Sequence, residues 1–403
     1  MDKQKITDIC DRLAGWSFYL LAAGVTFSNA ITDTATAAVI ALWIIRKILD
    51  KDNTLPGKRV GLLLLLFVLW NLASFINTSY IDESIRGFIK AAKHLLIFLA
   101  ALDYFKSRER LERFLLFTIG VGFIISLNGI AQHIIGIDLI RGRAINYLDY
   151  LHRISSSFTH PNDFGAYLIV ILTMLFSLLF TRSRPLKERL LILIAISPVA
   201  WCLVSTSSRG AWMGFLIALL CLAMVKSKKL FAAILILILI SPAILPSSIK
   251  NRFSDFVNIT KESKGGTAWE RMKLWSGTIA MVKEHPFLGF GINTYTRNFP
   301  AYKPKDYPDV RYTHNSYLQM ASEIGITGAG IFLLFLVSVV IAAAKAIGAS
   351  SNGLSRDLSL GVLCGIIGFL AHCSVDTHLY SVTLSAFLFL YLGVAFSFCD
   401  KRL

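Results

Sequence analysis

Apolar residues in this chain come in long blocks separated by short polar stretches, near 13–31, 33–49, 60–77, 86–104, 114–136, 163–181, 188–207, 210–225, 229–246, 315–344, 358–376 and 380–399. Blocks of roughly 17 to 25 residues are long enough, as α-helix, to cross a hydrocarbon core of about 30 Å. The pattern predicts about twelve membrane helices, with 33–49 and 210–225 the shortest of them. Helices are the expected solution because backbone groups in lipid must find their partners within the segment. The alternating pattern of a membrane β-barrel is absent. The expected architecture is a single all-α integral membrane domain over residues 1–403, without internal repeats.

Composition agrees: 55% of residues are apolar and the mean hydropathy is +0.61. A net charge of +16 first suggests nucleic acid, but the placement of the charges speaks against it. With the N-terminus inside, every inner segment carries basic residues: Lys3/Lys5/Arg12, Arg46/Lys47/Lys51/Lys58/Arg59, Lys106/Arg108/Arg110/Arg113, Arg182/Arg184/Lys187/Arg189, Lys226/Lys228/Lys229, Lys345/Arg356 and Lys401/Arg402. The short outer connections near 30–33 and 377–379 carry none. This positive-inside pattern puts both termini in the cytoplasm and residues 247–314, between the ninth and tenth spans, outside. Membrane lipids are the implied surroundings, and nucleic acid is not an expected partner. The six cysteines, Cys10, Cys202, Cys221, Cys364, Cys373 and Cys399, lie in or beside apolar blocks and read as small buried hydrophobes.

Two outer loops stand out, and long loops in a compact fold are usually functional. The first, about 137–162, holds Arg141, Arg143, Arg153 and Ser155-Ser-Ser-Phe-Thr-His160-Pro-Asn162-Asp163. In the second, Thr267-Ala-Trp-Glu270 is a capping box. Ala268, Met272, Trp275, Ile279 and Val282 then follow at helical spacing, and His285-Pro286 should end that helix. Trp269 and Trp275 suit a helix lying at headgroup level. The loop ends on Arg311-Tyr-Thr-His314-Asn315, where Ser316-Tyr-Leu-Gln319 reads as a second capping box opening the next helix. The positive end of that helix disfavours imidazolium at His314, and a neutral imidazole is what a general base needs. The alternative is an interfacial polar residue. Glu323 lies about half a turn from the face of His314 and reads as a buried contact to another helix.

Arg209 and Arg271 fall on the outer side, where two guanidinium groups could hold a diphosphate; the alternative for each is a headgroup anchor. Arg86, Lys90 and Lys93 are spaced i, i+4, i+7 and predict a basic stripe facing a polar groove, or snorkelling to the surface. Asp376 and His378 sit at the outer end of the eleventh block, where either could orient another site group. No HExxH, Walker A or GxGxxG motif is present and no DxD lies in an outer loop, so neither a metal nor a nucleotide cofactor is expected.

These residues resemble the O-antigen ligase family, within the superfamily of O-antigen polymerases and protein O-oligosaccharyltransferases. The resemblance rests on the topology and on Ser208-Arg209-Gly210-Ala211, Glu270-Arg271, Gly289-Phe-Gly291, Phe158-Thr-His-Pro161-Asn162 and His314-Asn315-Ser-Tyr-Leu…Glu323-Ile-Gly325. It implies a GT-C-like inner-membrane glycosyltransferase that needs no metal. Its donor would be an undecaprenyl diphosphate-linked glycan and its acceptor lipid A-core, on the periplasmic face. Arg209 and Arg271 would bind the diphosphate and His314 would activate the acceptor hydroxyl. Asp376, Asn315, Asn162, Arg153 and Glu323 would play supporting parts. A twelve-span transporter is the rival from another class, but the paired halves expected of one are not visible.

Overall fold

The computed structural model describes residues 3–50, 58–148, 151–181, 184–244, 267–305, 307, 310 and 312–397. Lys51, Arg182, Arg311, Cys399, Lys401, Arg402 and residues 247–266 of the second outer loop lie outside the described residues. Before that loop run α1 (Lys3–Gly24), α2 (Asn29–Asp50), α3 (Lys58–Ala73), α4 (Ile81–Tyr104), α5 (Arg108–Ile135), α6 (Pro161–Leu179), α7 (Leu186–Ser205), α8 (Arg209–Lys226) and α9 (Lys228–Ile244). The loop carries α10 (Thr267–Glu284), and α11 (Ser316–Gly348), α12 (Leu354–His372) and α13 (Val382–Phe396) follow. All except α10 coincide with the apolar blocks of the sequence. Among the described residues, seven helical segments are long and apolar enough to cross a membrane: Arg59–Asn77, α5, α6, α7, α8, α11 and α12. The chain is an all-α membrane protein, with one small hairpin, β1 (Asn146–Leu148) and β2 (Leu151–Arg153), among the described residues. The first connection comes earlier than the hydropathy pattern suggests, because the Ser28 hydroxyl accepts from the Ile31 amide and starts α2 at Asn29.

α6 is central and buried along its length, as an apolar run without a polar stripe should be. α12 lies against it so closely that a Cβ on Gly361 would sit 2.5 Å from the Met174 Cα. Small residues permit such approach where lipid offers no hydrophobic drive to association.

α11 is the irregular helix. At Gly325 the backbone turns to φ 73, ψ 167, which breaks the helical ladder. The freed groups pair with the turn after α10: the Phe290 amide donates to the Ser322 carbonyl (3.1 Å), Gly291 to Glu323 (2.8 Å) and Ile326 to Pro286 (2.8 Å). The Trp70 indole takes the Ile324 carbonyl at 3.0 Å. Gly289-Phe-Gly291 and Glu323-Ile-Gly325, separate motifs in the sequence, are therefore one interlocked unit.

α10 ends at Glu284, immediately before His285-Pro286. It does more than lie at headgroup level. Leu274 and Met281 pack with Tyr295 and Phe299 into a small core of their own, and the Trp275 indole donates to the Thr313 carbonyl at 3.0 Å. Glu270 hydrogen-bonds the Tyr307 hydroxyl, tying α10 to the arm that leads to His314.

The bundle has two distinct ends. One gathers the connections around residues 25–29, 153–163, 293–297, 312–316 and 376–383 about a cavity. The other is cross-braced by ion pairs. Asp11 meets Arg46 (2.8 Å) and Arg110 (3.0 Å), Asp103 meets Lys47 (2.8 Å), and Asp357 meets Lys226 (2.5 Å).

Candidate active site

His314 holds the last loop position before α11 with φ +51, a left-handed conformation that costs a residue with a Cβ roughly 1–2 kcal/mol. Its neighbours impose it. Asn315 caps α11, its side chain accepting from the Tyr317 (3.1 Å) and Leu318 (3.0 Å) amides. The cap is thus Asn315 and not Ser316, because the Ser316 hydroxyl donates instead to the Asp376 carbonyl at 2.8 Å. The Ser316 amide is also bound to that loop, through the Cys373 (2.9 Å) and Asp376 (3.1 Å) carbonyls. On the other side, the Thr313 amide donates to Gln319 Oε1 at 3.3 Å.

The start of α11 is thereby fastened to the α12–α13 loop, which brings His314 Nδ1 within 3.1 Å of Asp376 Oδ1. Asp376 is nearly buried while the imidazole is 45% exposed. Three further groups fix the carboxylate. The Thr377 amide donates to Oδ1 at 2.9 Å. Asn162 Nδ2 donates to Oδ2 at 2.5 Å. Arg153 holds Asn162 Oδ1 at 2.8 Å and the Thr206 carbonyl at 2.9 Å. Burial alone would raise the Asp376 pKa, but the His314 hydrogen bond and the surrounding imidazoles outweigh it and hold the carboxyl well below its ordinary range. An ionised Asp376 that accepts the Nδ1 proton leaves Nε2 of His314 as the basic atom.

Arg271 on α10 approaches the same carboxylate, Nη2 to Oδ2 at 3.8 Å. Desolvation lowers its pKa, Asp376 raises it and the nearby Arg209 lowers it again, with a net depression. Arg209 enters from the start of α8, whose cap Ser208 accepts from the Ala211 amide. Two like charges brought together around one already engaged carboxylate favour an added anion.

Residues 190–333 match the family model described as O-antigen ligase. That stretch, about a third of the chain, includes Arg209, Arg271 and His314 and is similar to the O-antigen ligase family. No match was found among curated proteins. A solved chain described as "Structural coordination of polymerization and crosslinking by a peptidoglycan synthase complex" is similar at 15% identity and a TM-score of 0.47, over 85% of this chain and 96% of that one.

His314 faces a cavity of about 630 Å³ whose wall also includes Lys90, Arg153, Asn162, Asp163, Glu323 and Asp376. Arg209 and Arg271 are not in that wall; Arg271 meets the dyad through Asp376, with the charge of Arg209 beside Arg271. Glu323 shares the cavity but not the dyad. Its carboxylate accepts from the Asn293 amide (2.8 Å), the Tyr295 amide (3.3 Å) and the Tyr380 hydroxyl (3.2 Å), so it braces the broken α11 against the turn after α10.

The basic stripe on α4 divides. Lys90 reaches the cavity and donates to the Tyr380 carbonyl. Lys93 does not; it pairs with Asp33 on α2, because α2 and not a groove faces that part of α4. Arg86 is 70% exposed and lies 3.7 Å from Glu83. Neither Lys93 nor Arg86 approaches Arg209 and Arg271 in the way a shared diphosphate site requires.

His372, Asp376 and His378 each bring a ligand atom within 4.8 Å of the others. Those atoms are engaged in hydrogen bonds: both Asp376 oxygens as above, His378 Nδ1 with Asp163 (3.1 Å) and His378 Nε2 with His372 Nδ1 (3.1 Å). The cluster is a hydrogen-bonded network in which a metal would have to displace existing partners. The His378–Asp163 contact joins residues 215 apart in sequence. The spacing of His372, Asp376 and His378 around one helix end was the only sequence signal for it.

Proposed function

We propose that the protein is an inverting glycosyltransferase that moves a glycan from a polyprenyl diphosphate carrier onto a sugar hydroxyl of lipid A-core, at the periplasmic face of the inner membrane. His314 Nε2 takes the proton of the acceptor hydroxyl. The oxygen attacks the anomeric carbon, the bond from that carbon to the diphosphate oxygen breaks, and the carrier leaves as its diphosphate. Asp376 holds the imidazole in the Nδ1–H tautomer and stabilises the imidazolium that forms. Arg209 and Arg271 hold the leaving diphosphate, and electrostatic stabilisation of this kind is usually the largest contribution to such a step.

The observation that carries this reading is the dyad itself. A half-exposed imidazole faces a polar cavity, its rear nitrogen sits on a buried carboxylate, and Arg271 approaches that carboxylate with the charge of Arg209 nearby. The positive-inside charge pattern supports the orientation, since the cross-braced end of the bundle holds the basic segments. The experiment is the glycolipid profile of a knockout. Bare lipid A-core with accumulated carrier-linked polymer supports ligation. Core bearing a single repeat would indicate the related polymerase chemistry, and unchanged glycans with lost uptake of a solute would indicate a transporter.

A further inference from the structure

The α12–α13 loop makes two carboxylate–histidine pairs of opposite orientation. In the first, the histidine (His314) faces the cavity and the carboxylate (Asp376) is nearly buried. In the second, the carboxylate lines the cavity: Asp163 is 22% exposed, and His378, 1% exposed, lies behind it. Adjacent residues at the start of α6 serve the two pairs, since Asn162 holds Asp376 and Asp163 holds His378. His378 is fixed in turn by His372, which packs against Gly210 so tightly that a Cβ there would lie 2.5 Å from His372 Cδ2.

We propose that Asp163 is the saccharide-anchoring residue of the acceptor site, with His378 and His372 as its positioning residues. The inference rests on the glycosyl-transfer reading above. One Asp163 oxygen is taken by His378, which fixes the side-chain rotamer and leaves the second oxygen for the cavity. A fixed carboxylate repels the carrier diphosphate but accepts strongly from sugar hydroxyls, because hydrogen bonds to an ionised acceptor are about twice as strong as neutral ones. The same cavity wall supplies neutral polar groups from Ser28, Asn29, Thr159 and Thr383, which suit a saccharide, as well as the cations Lys90, Arg141, Arg153 and Arg297. Asn162, the neighbour of Asp163 in sequence, holds Asp376, so Asp163 and the base line one cavity. The cavity wall then serves the acceptor, while Arg209 and Arg271, outside that wall, serve the donor.

The test uses the full-length protein in nanodiscs, purified lipid A-core and its monodeoxy analogues at positions next to the accepting hydroxyl. For the native protein, removing the anchored hydroxyl should raise KM for acceptor by roughly 30- to 100-fold, as expected when a site built for a hydroxyl loses it. Asp163→Asn should raise KM for intact acceptor by a similar factor, leave the affinity for polyprenyl diphosphate unchanged, and show no further loss with that one analogue. His378→Gln should move KM in the same direction by a smaller factor, with kcat little altered. Asp163→Ser serves if the Asn variant does not fold. Full additivity of the Asp163 substitution with every deoxy analogue overturns the proposal, as does a loss of diphosphate affinity with acceptor KM unchanged. If His314→Ala retains transfer, the glycosyl-transfer reading fails instead, and the two failures are told apart.

Discussion

Both ends of the bundle pair acids with bases, including Arg297 with Glu83 at the cavity end, but they differ in the charge they leave only loosely held. At the end away from the cavity, acids and bases from different helices close on one another at hydrogen-bonding distance, as Lys226 and Asp357 do at 2.5 Å with each side chain no more than 10% exposed. At the cavity end the guanidinium of Arg271 stops 3.8 Å short of Asp376, and Arg209 adds like charge beside it. The backbone differs too. The four non-glycine residues with left-handed φ among the described residues are Ser156, Ser207, Asn293 and His314, and all belong to cavity-end connections. Strain of this kind persists only where surrounding contacts over-determine it, and it clusters at functional sites. One end is built to stay shut; the other keeps charge and backbone strain in place for a ligand.

The largest effect should come from the unit that holds the strained end together. A Cβ on Gly325 would sit 1.9 Å from the Phe287 carbonyl oxygen, at φ +73. Gly325→Ala should cost on the order of 4–5 kcal/mol and abolish accumulation of folded protein. Gly330→Ala, on the same helix with no atom within 4 Å of the added methyl, should leave the melting temperature within a degree or two. Equal behaviour of the two would remove the interlock from the account.

That interlock marks where sequence reading runs out. The apolar blocks, the end of α10 before Pro286 and the place of His314 just before a helix start were legible, because block length, proline and helix-start chemistry act over a few residues. The break at Gly325 depends on amides some thirty-five residues earlier, so its glycine looked like one more motif letter. Lys93 was misplaced for a related reason: its spacing with Lys90 is local, but its partner Asp33 is on another helix. The pairing of Asp163 with His378 spans most of the membrane domain and leaves no periodic trace.

Next in size is the diphosphate site. Hydrogen bonds to charged groups contribute roughly 1.5–3 kcal/mol each, so Arg209→Gln with Arg271→Gln should weaken polyprenyl diphosphate binding by about 10²- to 10⁴-fold in titration calorimetry. Unchanged affinity would transfer the leaving-group role to the cavity cations. Lys226→Met, at the braced end, tests the other half of the comparison. Breaking a buried pair costs about 3–5 kcal/mol, so thermal stability should fall while turnover per folded molecule stays constant. A loss of turnover would mean the two ends are coupled. The smallest effect belongs to Lys93→Met: an ion pair with the half-exposed Asp33 is worth about 0–1 kcal/mol, and diphosphate affinity should not change, whereas Lys90→Met should weaken substrate binding measurably.

The pH dependence follows from Asp376. Its folded pKa lies below the ordinary carboxyl value, so the stability it contributes is present above about pH 4 and is lost as the pH falls through the depressed value. Asp376 therefore does not titrate near neutrality. Asp376→Asn, which removes the carboxylate from Nδ1, should lower kcat without restoring activity at any pH between 5 and 8.

The central claim is that His314 acts in the chemical step and not in binding. The direct measurement is single-turnover transfer by His314→Ala in nanodiscs, alongside its affinity for polyprenyl diphosphate. The account predicts unchanged donor affinity with transfer reduced by at least about 10²- to 10⁴-fold, the contribution of a positioned general base. Transfer at the native rate, or a loss of rate that follows a loss of donor binding, would contradict it.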